Sequence, residues 1–293
     1  VTFALLVLVK VAITAIIFSI GLGSAFSDAT YLLQRPALLL RSLFAMYVAV
    51  PIAALLVATL IPIDTTVKIA LFVLAISSGA PLLPRKLSGV GDRAYVFSML
   101  IISSLVAIIV VPASLSLLAQ RFGIPTEIGA LDVALLLAKA FLLPLLAGMI
   151  IHAIAPVRST WIANRLLPIG GFALTLAAVA LLGLNWEVLF QMRGPGIIAL
   201  LLFIMAALAI GHCVGGPEPN QRTNLAIACA ARHVGVAAVV ATMIHGPRTL
   251  VLIAAYVITS AIVSLPYLFW RRSVAAASAR LDRDRPQNLS HGA

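Results

Sequence analysis

Long apolar runs, each about as long as a bilayer crossing, alternate along the chain with short clusters of Arg, Lys, Gly and Pro. Cutting at those clusters leaves nine spans: 3–22, 38–61, 67–90, 94–118, 131–154, 166–185, 196–214, 222–244 and 249–270. A run of about 20 apolar residues crosses the hydrocarbon core as a helix, the one open-chain form that satisfies its own backbone in lipid. The pattern therefore predicts an all-α polytopic membrane protein of nine transmembrane helices, joined by short loops. The longest loop is expected from Arg121 to Ala130, and a polar, disordered tail is expected over 271–293. No basic region precedes Phe3–Leu22, so that run reads as a helix rather than a cleaved signal.

Two spans are interrupted. The third carries SSGAPLLPRKLSG, Ser77–Gly89, with Pro81 and Pro84 where unbroken helix is needed. Proline lacks the N–H donor and collides with the preceding turn, so a break is expected there. The eighth carries AARHVGV, Ala230–Val236, with Arg232 and His233 at its centre and Gly235 just after. A central Arg costs a few kcal/mol to insert and normally faces a cavity or the bundle interior. Each interrupted span is followed by one further helix, so the breaks occupy matching places in two halves. That spacing predicts an inverted repeat, 1–118 with four helices and 119–270 with five, followed by the tail 271–293. Paired interrupted segments in two halves mark the binding site of a secondary transporter.

Composition agrees: 62% of residues are hydrophobic and 10% charged, with mean hydropathy +1.15, far from soluble-domain averages. The formal charge of +11 is the excess expected on cytoplasmic loops, and it does not call for nucleic acid. One side of the nine-span plan collects Arg35, Arg41, Arg93, Arg158, Arg165, Arg222, Arg271, Arg272, Arg280, Arg283 and Arg285. The other collects Lys68, Arg121, Arg193 and Arg248. The C-terminus is thus expected in the cytoplasm and the N-terminus outside, in a bacterial-type plasma membrane. Cys213 and Cys229, both in apolar runs, make neither a disulfide framework nor a metal site. No HExxH, P-loop or GxSxG pattern occurs, so neither an enzyme nor a cofactor is expected.

Several stretches carry a resemblance. GLGSAFSDATYLLQRPALLLRSLFAMYVAVPIAALL, VKIALFVLAISSGAPLLP with GDRAYVFSMLIISSLVAIIVVP, ALLLAKAFLLPLLAGMIIHAI and NQRTNLAIACAARHVGVAAVVA resemble the bile acid:sodium symporter family. That family lies within the bile, arsenite and riboflavin transporter group. The resemblance implies ten helices, a panel and a core domain, and two broken helices crossing near the midplane. With nine spans against ten, the helix expected to be missing from that plan is the first. The family's sodium motifs are degraded. Its Ser-Asn pair falls on Arg85-Lys86 or on Leu82-Leu83, its third-helix Gln on Met46, its Glu on Ala228 and its Gln-Asn pair on Arg232-His233. Ser104 keeps a hydroxyl. All nine acidic residues fall in loops, at span edges or in the tail.

The expected substrate-binding residues are Arg232, His233, Lys86, Arg85, Ser77, Ser78, Ser103 and Ser104, with no metal ligands. Each has a plainer reading. Arg232 can bond the carbonyls of unwound backbone, Arg85 and Lys86 can snorkel to the interface, and the serines can bond their own helices. Lys139 and the histidines near span ends read as structural or interfacial. The expected activity is transport of a small organic anion without sodium coupling. The alternatives are an ordinary sodium-coupled symporter and a membrane-embedded ligand sensor.

Overall fold

The computed structural model describes residues 2–77, 92–122, 129–187, 193–234, 236–237, 240–241 and 247–284. All regular structure in them is helical. In chain order the helices are α1 (Thr2–Leu22), α2 (Phe26–Thr30), α3 (Pro36–Phe44), α4 (Val50–Leu60), α5 (Thr65–Ile76) and α6 (Arg93–Phe122). They continue with α7 (Ala130–Ile154), α8 (Pro156–Leu184), α9 (Arg193–Val214), α10 (Pro219–Ala230) and α11 (Pro247–Asp284). Among the described residues, Pro36–Leu60, Ala94–Leu117, Ala130–Ile154, Pro156–Leu184, Gly194–Val214 and Val251–Ala277 are long and apolar enough to cross a membrane. Val7–Gly23 and Thr65–Ile76 are shorter apolar helices. The architecture is that of a polytopic helical membrane protein. Its exposed apolar side chains, among them Leu40, Ile52, Leu143, Phe172 and Phe269, are the surface presented to lipid.

The sequence reading and the structure differ in two places. The sixth helix begins at Pro156, ten residues before the expected 166, because Arg158 and Arg165 lie within α8 and not in a loop. Proline suits the first turn of a helix, where its missing N–H is not needed. Arg165 stacks over Trp161, 4.1 Å from the ring centroid, which gives the polar turn an amphipathic surface. Only Ala155 separates α7 from α8. The second difference is at the end of the chain, where α11 continues to Asp284 in place of a disordered tail starting at Arg271. The Ala-rich stretch VAAASAR has high helix propensity and prolongs the span.

Helix α1 packs against α7 and α8, while α4, α5, α9, α10 and α11 pack with one another; α6 touches α7, and α8 meets α11. Glycines set the closest crossings. A Cβ on Gly148 would sit 2.5 Å from Phe18 O, and one on Gly21 would overlap Leu145 O, so α1 and α7 touch backbone to backbone. Small residues allow this approach where no hydrophobic effect drives helices together. His152 Nδ1 lies 2.8 Å from Leu22 O and 2.9 Å from Ser159 Oγ, tying the ends of α1, α7 and α8.

One end of the molecule gathers the loops between α1 and α3 and between α9 and α10. Here Tyr31 donates to Asp92 at the start of α6, Asn224 Nδ2 donates to Asp92 O at 3.4 Å, and Arg271 donates to Thr223 and Pro219 at the start of α10. Burial first, then the bond to Asp92, pushes the Tyr31 phenol up to about 12, so it remains a donor at any working pH. Helix α10 therefore enters from this end. Helix α5 begins at the opposite end, where α4 has just finished at Leu60.

Candidate functional site

The two interrupted spans meet. Helix α5 ends at Ile76 with Ser77 as its C-terminal cap, and α10 ends at Ala230. Ala231, Arg232 and His233 are not helical, and helical residues resume at Val234. A broken helix leaves carbonyls on one side and N–H groups on the other without their usual partners. These groups find substitutes. The His233 N–H donates to Ser77 O at 2.8 Å, joining one break to the other. Tyr256 of α11 donates its hydroxyl to Ala230 O. His233 caps the resumed helix: its carbonyl accepts from Ala237 N at 3.0 Å, and its Nδ1 accepts from Val236 N at 3.3 Å. With Nδ1 accepting, the neutral ring carries its proton on Nε2.

Arg232 and His233 are neighbours in sequence but face different ways. Arg232 is 2% exposed, and its Nη1 donates to Met46 O at 3.3 Å. That carbonyl is available for a reason written in the sequence. Residues Ala45–Ala49 form a π-helical turn in which the Val50 N–H reaches Ala45 O. The next N–H in line for Met46 O belongs to residue 51, which is proline and has none. The arginine supplies the donor that the turn cannot. Its Nε and Nη2 have no hydrogen-bond partner among the described residues. Together those two atoms form one edge of the guanidinium, the edge that grips a carboxylate with two parallel bonds.

His233 faces a narrow cleft of about 20 Å³, lined also by Ile17 and Ile20 of α1, Leu100 and Ser104 of α6, and Phe141 and Leu145 of α7. The Phe141 and His233 rings meet edge to face, with centroids 4.4 Å apart. The cleft thus separates the α1–α7 pair from the bundle that carries the breaks. Its walls are apolar apart from Ser104 and His233.

Of the expected site residues, Arg232, His233, Ser77, Ser103 and Ser104 are described. Ser78, Arg85 and Lys86 lie outside the described residues, as do Pro81, Pro84 and Gly235. Ser104 reaches the cleft together with His233. Ser77 takes part through its carbonyl, while its hydroxyl donates to Val73 O at 2.6 Å. Ser103 and Ser104 donate to Leu100 O at 3.2 and 2.7 Å, and Ser103 O accepts from the Tyr47 hydroxyl. All three hydroxyls therefore bond their own helices. Lys139 is exposed on the outer face of α7, and Cys213 and Cys229 are free thiols. Among the described residues no group of three His, Cys, Asp or Glu side chains gathers as a metal site.

Tyr256 and Phe141 were missed. Tyr256 had a signal, as a polar hydroxyl inside the apolar run 249–270 must find a buried partner. Phe141 had none, being one large apolar residue among many in span 131–154.

No curated protein matches the chain. The model of the sodium bile acid symporter family matches residues 10–192, from within α1 to beyond the end of α8. The match rests on the same stretches that fold into the α1–α7–α8 group, the broken α5 and the cleft-lining α6. The chain therefore belongs to the sodium bile acid symporter family, whose members are membrane transporters of bile-acid and organic-anion type.

Proposed function

We propose that the protein is a secondary transporter of a small organic anion, working by alternating access around the two unwound segments without sodium coupling. Arg232 carries this reading: a guanidinium is buried where the breaks meet, with one edge unpartnered among the described residues. A buried charge without a counter-ion costs several kcal/mol, and an anion entering next to it recovers much of that cost. Arginine stays protonated at any working pH, so the charge is permanent.

The same charge disfavours a cation. By resemblance, three of the family's sodium ligand positions fall on Met46, Ala228 and Arg232, none of which offers a side-chain oxygen, and the hydroxyl kept at Ser104 donates to Leu100 O. Arg232 in fact bonds the carbonyl of Met46. A fixed positive charge beside that carbonyl repels sodium and takes over the charge balance that a coupling ion provides. On this reading the narrow apolar cleft widens during the transport cycle to take the hydrocarbon body of the anion, with the His233 ring and Ser104 as its polar contacts and Arg232 acting from behind. The pairing of α5 and α10, entering from opposite ends and joined through Ser77 O, supports an inverted repeat of 1–118 and 119–270.

In proteoliposomes, uptake of labelled organic carboxylates or sulfonates should proceed at equal rates with sodium or potassium outside. Uptake that rises steeply with an inward sodium gradient would overturn the uncoupled mechanism. The collection of Arg35, Arg41, Arg222 and Arg271 at one end favours a cytoplasmic position for that end and for the end of α11. A cytoplasm-dependent reporter fused after Ala293 should be active, and an inactive fusion on an inserted protein reverses the orientation.

A further inference from the structure

Three arginines from three separate helices converge on the turn between α9 and α10. Arg222 of α10 donates its Nε to Gly216 O at 2.5 Å. Arg271 of α11 donates Nη2 to Pro219 O at 3.0 Å and Nε to Thr223 Oγ1 at 2.8 Å, and it is 8% exposed. Arg41 of α3 closes the third side, where its Nη1 would lie 3.1 Å from a Cβ on Gly216. Gly216 has φ +89°, a left-handed conformation that keeps the turn tight and leaves room for the guanidinium.

These bonds use few of the donors present. Among the described residues Arg41 makes no hydrogen bond, and neither do the two Nη groups of Arg222 or the Nη1 of Arg271. Glu218, exposed in the same turn, brings one carboxylate against three guanidinium groups, so the cluster keeps a positive excess. Asp92 is taken by Tyr31 and the Tyr95 N–H, and among the described residues none of the three arginines forms an ion pair. Like charges held this close repel one another, and in a low-dielectric setting the repulsion is costly unless an anion sits between them.

The surroundings indicate which anion. On α3, Leu40 and Phe44 flank Arg41 and are 67% and 53% exposed; on α11, Phe269 and Trp270 precede Arg271 and are 63% and 49% exposed. Both helices belong to candidate spans, Pro36–Leu60 and Val251–Ala277, and Arg41 and Arg271 lie within two turns of the span ends, where long basic side chains reach headgroups beside apolar flanks. Trp270 carries Arg271 5.3 Å from its ring centroid, a pairing common at that depth. A water-borne phosphate has no use for the apolar flanks, whereas a lipid fills both parts. We propose that Arg41, Arg222 and Arg271 form a binding site for the phosphate of an anionic phospholipid, whose acyl chains lie along the exposed faces of α3 and α11. The lipid then clamps α3, α10 and α11 at the end from which the broken helix α10 enters.

The test is thermal unfolding of the full-length protein in neutral detergent, titrated separately with phosphatidylglycerol, phosphatidylcholine and inorganic phosphate. A ligand of the folded state raises the midpoint with the logarithm of its concentration once that exceeds the dissociation constant. Phosphatidylglycerol should raise it in this way, while the other two leave it unchanged. Each basic residue at a membrane surface contributes about 1 kcal/mol toward an anionic lipid, so Arg41→Gln should need about five times more phosphatidylglycerol for the same rise. Arg158→Gln removes the same charge from an exposed position on α8 outside the cluster, and it should leave the response unchanged. An equal shift with phosphatidylcholine overturns the proposal, as does an equal shift with inorganic phosphate, which would make the occupant a free anion. Equal losses in the two variants, or none in Arg41→Gln, also overturn it, because the effect would then be diffuse charge and not a site.

Discussion

Replacing Arg232 with methionine is expected to weaken anion binding about thirty-fold or more and to leave the melting temperature nearly unchanged. The two halves of this prediction rest on different physics. An anion roughly 8 Å from a fixed charge, at an effective dielectric of about 20, gains on the order of 2 kcal/mol, and each 1.4 kcal/mol is a factor of ten. A direct bidentate contact would add to that. The stability side is a near balance. The variant gives up the charged hydrogen bond to Met46 O, about 1.5–3 kcal/mol. It also removes a guanidinium that is 2% exposed with Nε and Nη2 unpartnered among the described residues, a burial that itself costs several kcal/mol. Methionine fills similar volume with no charge to desolvate. Calorimetry with a bound carboxylate and thermal unfolding without one separate the two effects. A variant that unfolds several degrees early makes Arg232 a brace for the π-turn and nothing more. A stable variant with unchanged affinity removes Arg232 from the substrate's electrostatics.

The direction in which Arg232 faces could not be read from the chain, although its importance could. The charge in an apolar run marked a break over Ala230–Val236, and helical residues resume inside that stretch, at Val234. Helical periodicity assigns faces only while the backbone is helical, and residues 231–233 are not. The partner was closer to legible. Pro51 strips Met46 O of one donor, and the π-turn strips it of the other, but the π-turn has no reliable sequence signature. The serines illustrate the opposite case. Hydroxyls in apolar helices are ambiguous between lining a cavity and bonding their own turn, and Ser77, Ser103 and Ser104 all do the latter. The start of α8 was missed for a simple reason: Arg158 and Arg165 break the apolar run without breaking the helix.

The small residues held more information than their composition suggested. Gly211 and Gly215 lie one turn apart in GHCVG, and both face α10. A Cβ on Gly211 would lie 2.5 Å from Ala226 Cα, 2.5 Å from Leu225 O and 2.7 Å from Ala226 N, all backbone atoms that cannot swing aside. Gly211→Ala must therefore push α10 away from α9, and overpacking of this kind costs about 1–3 kcal/mol. Gly183, in α8, is the matched control, because a Cβ there meets nothing within 4 Å. Gly183→Ala should be neutral or stabilising by up to about 1 kcal/mol, since alanine favours the helix. The two variants should thus differ in melting temperature by roughly 5 °C or more, with Gly211→Ala the lower. The effect should also reach transport. Ala226 stands one turn before Ala230, where α10 breaks, and a shifted α10 moves the His233 N–H off Ser77 O, now 2.8 Å away. Gly211→Ala should therefore lose uptake even at temperatures where it remains folded, while Gly183→Ala keeps it. Equal melting temperatures for the two would mean that α9 and α10 are less closely apposed than the backbone contact at Gly211 requires. A destabilised Gly211→Ala with full uptake would uncouple the packing of α10 from the geometry of the break.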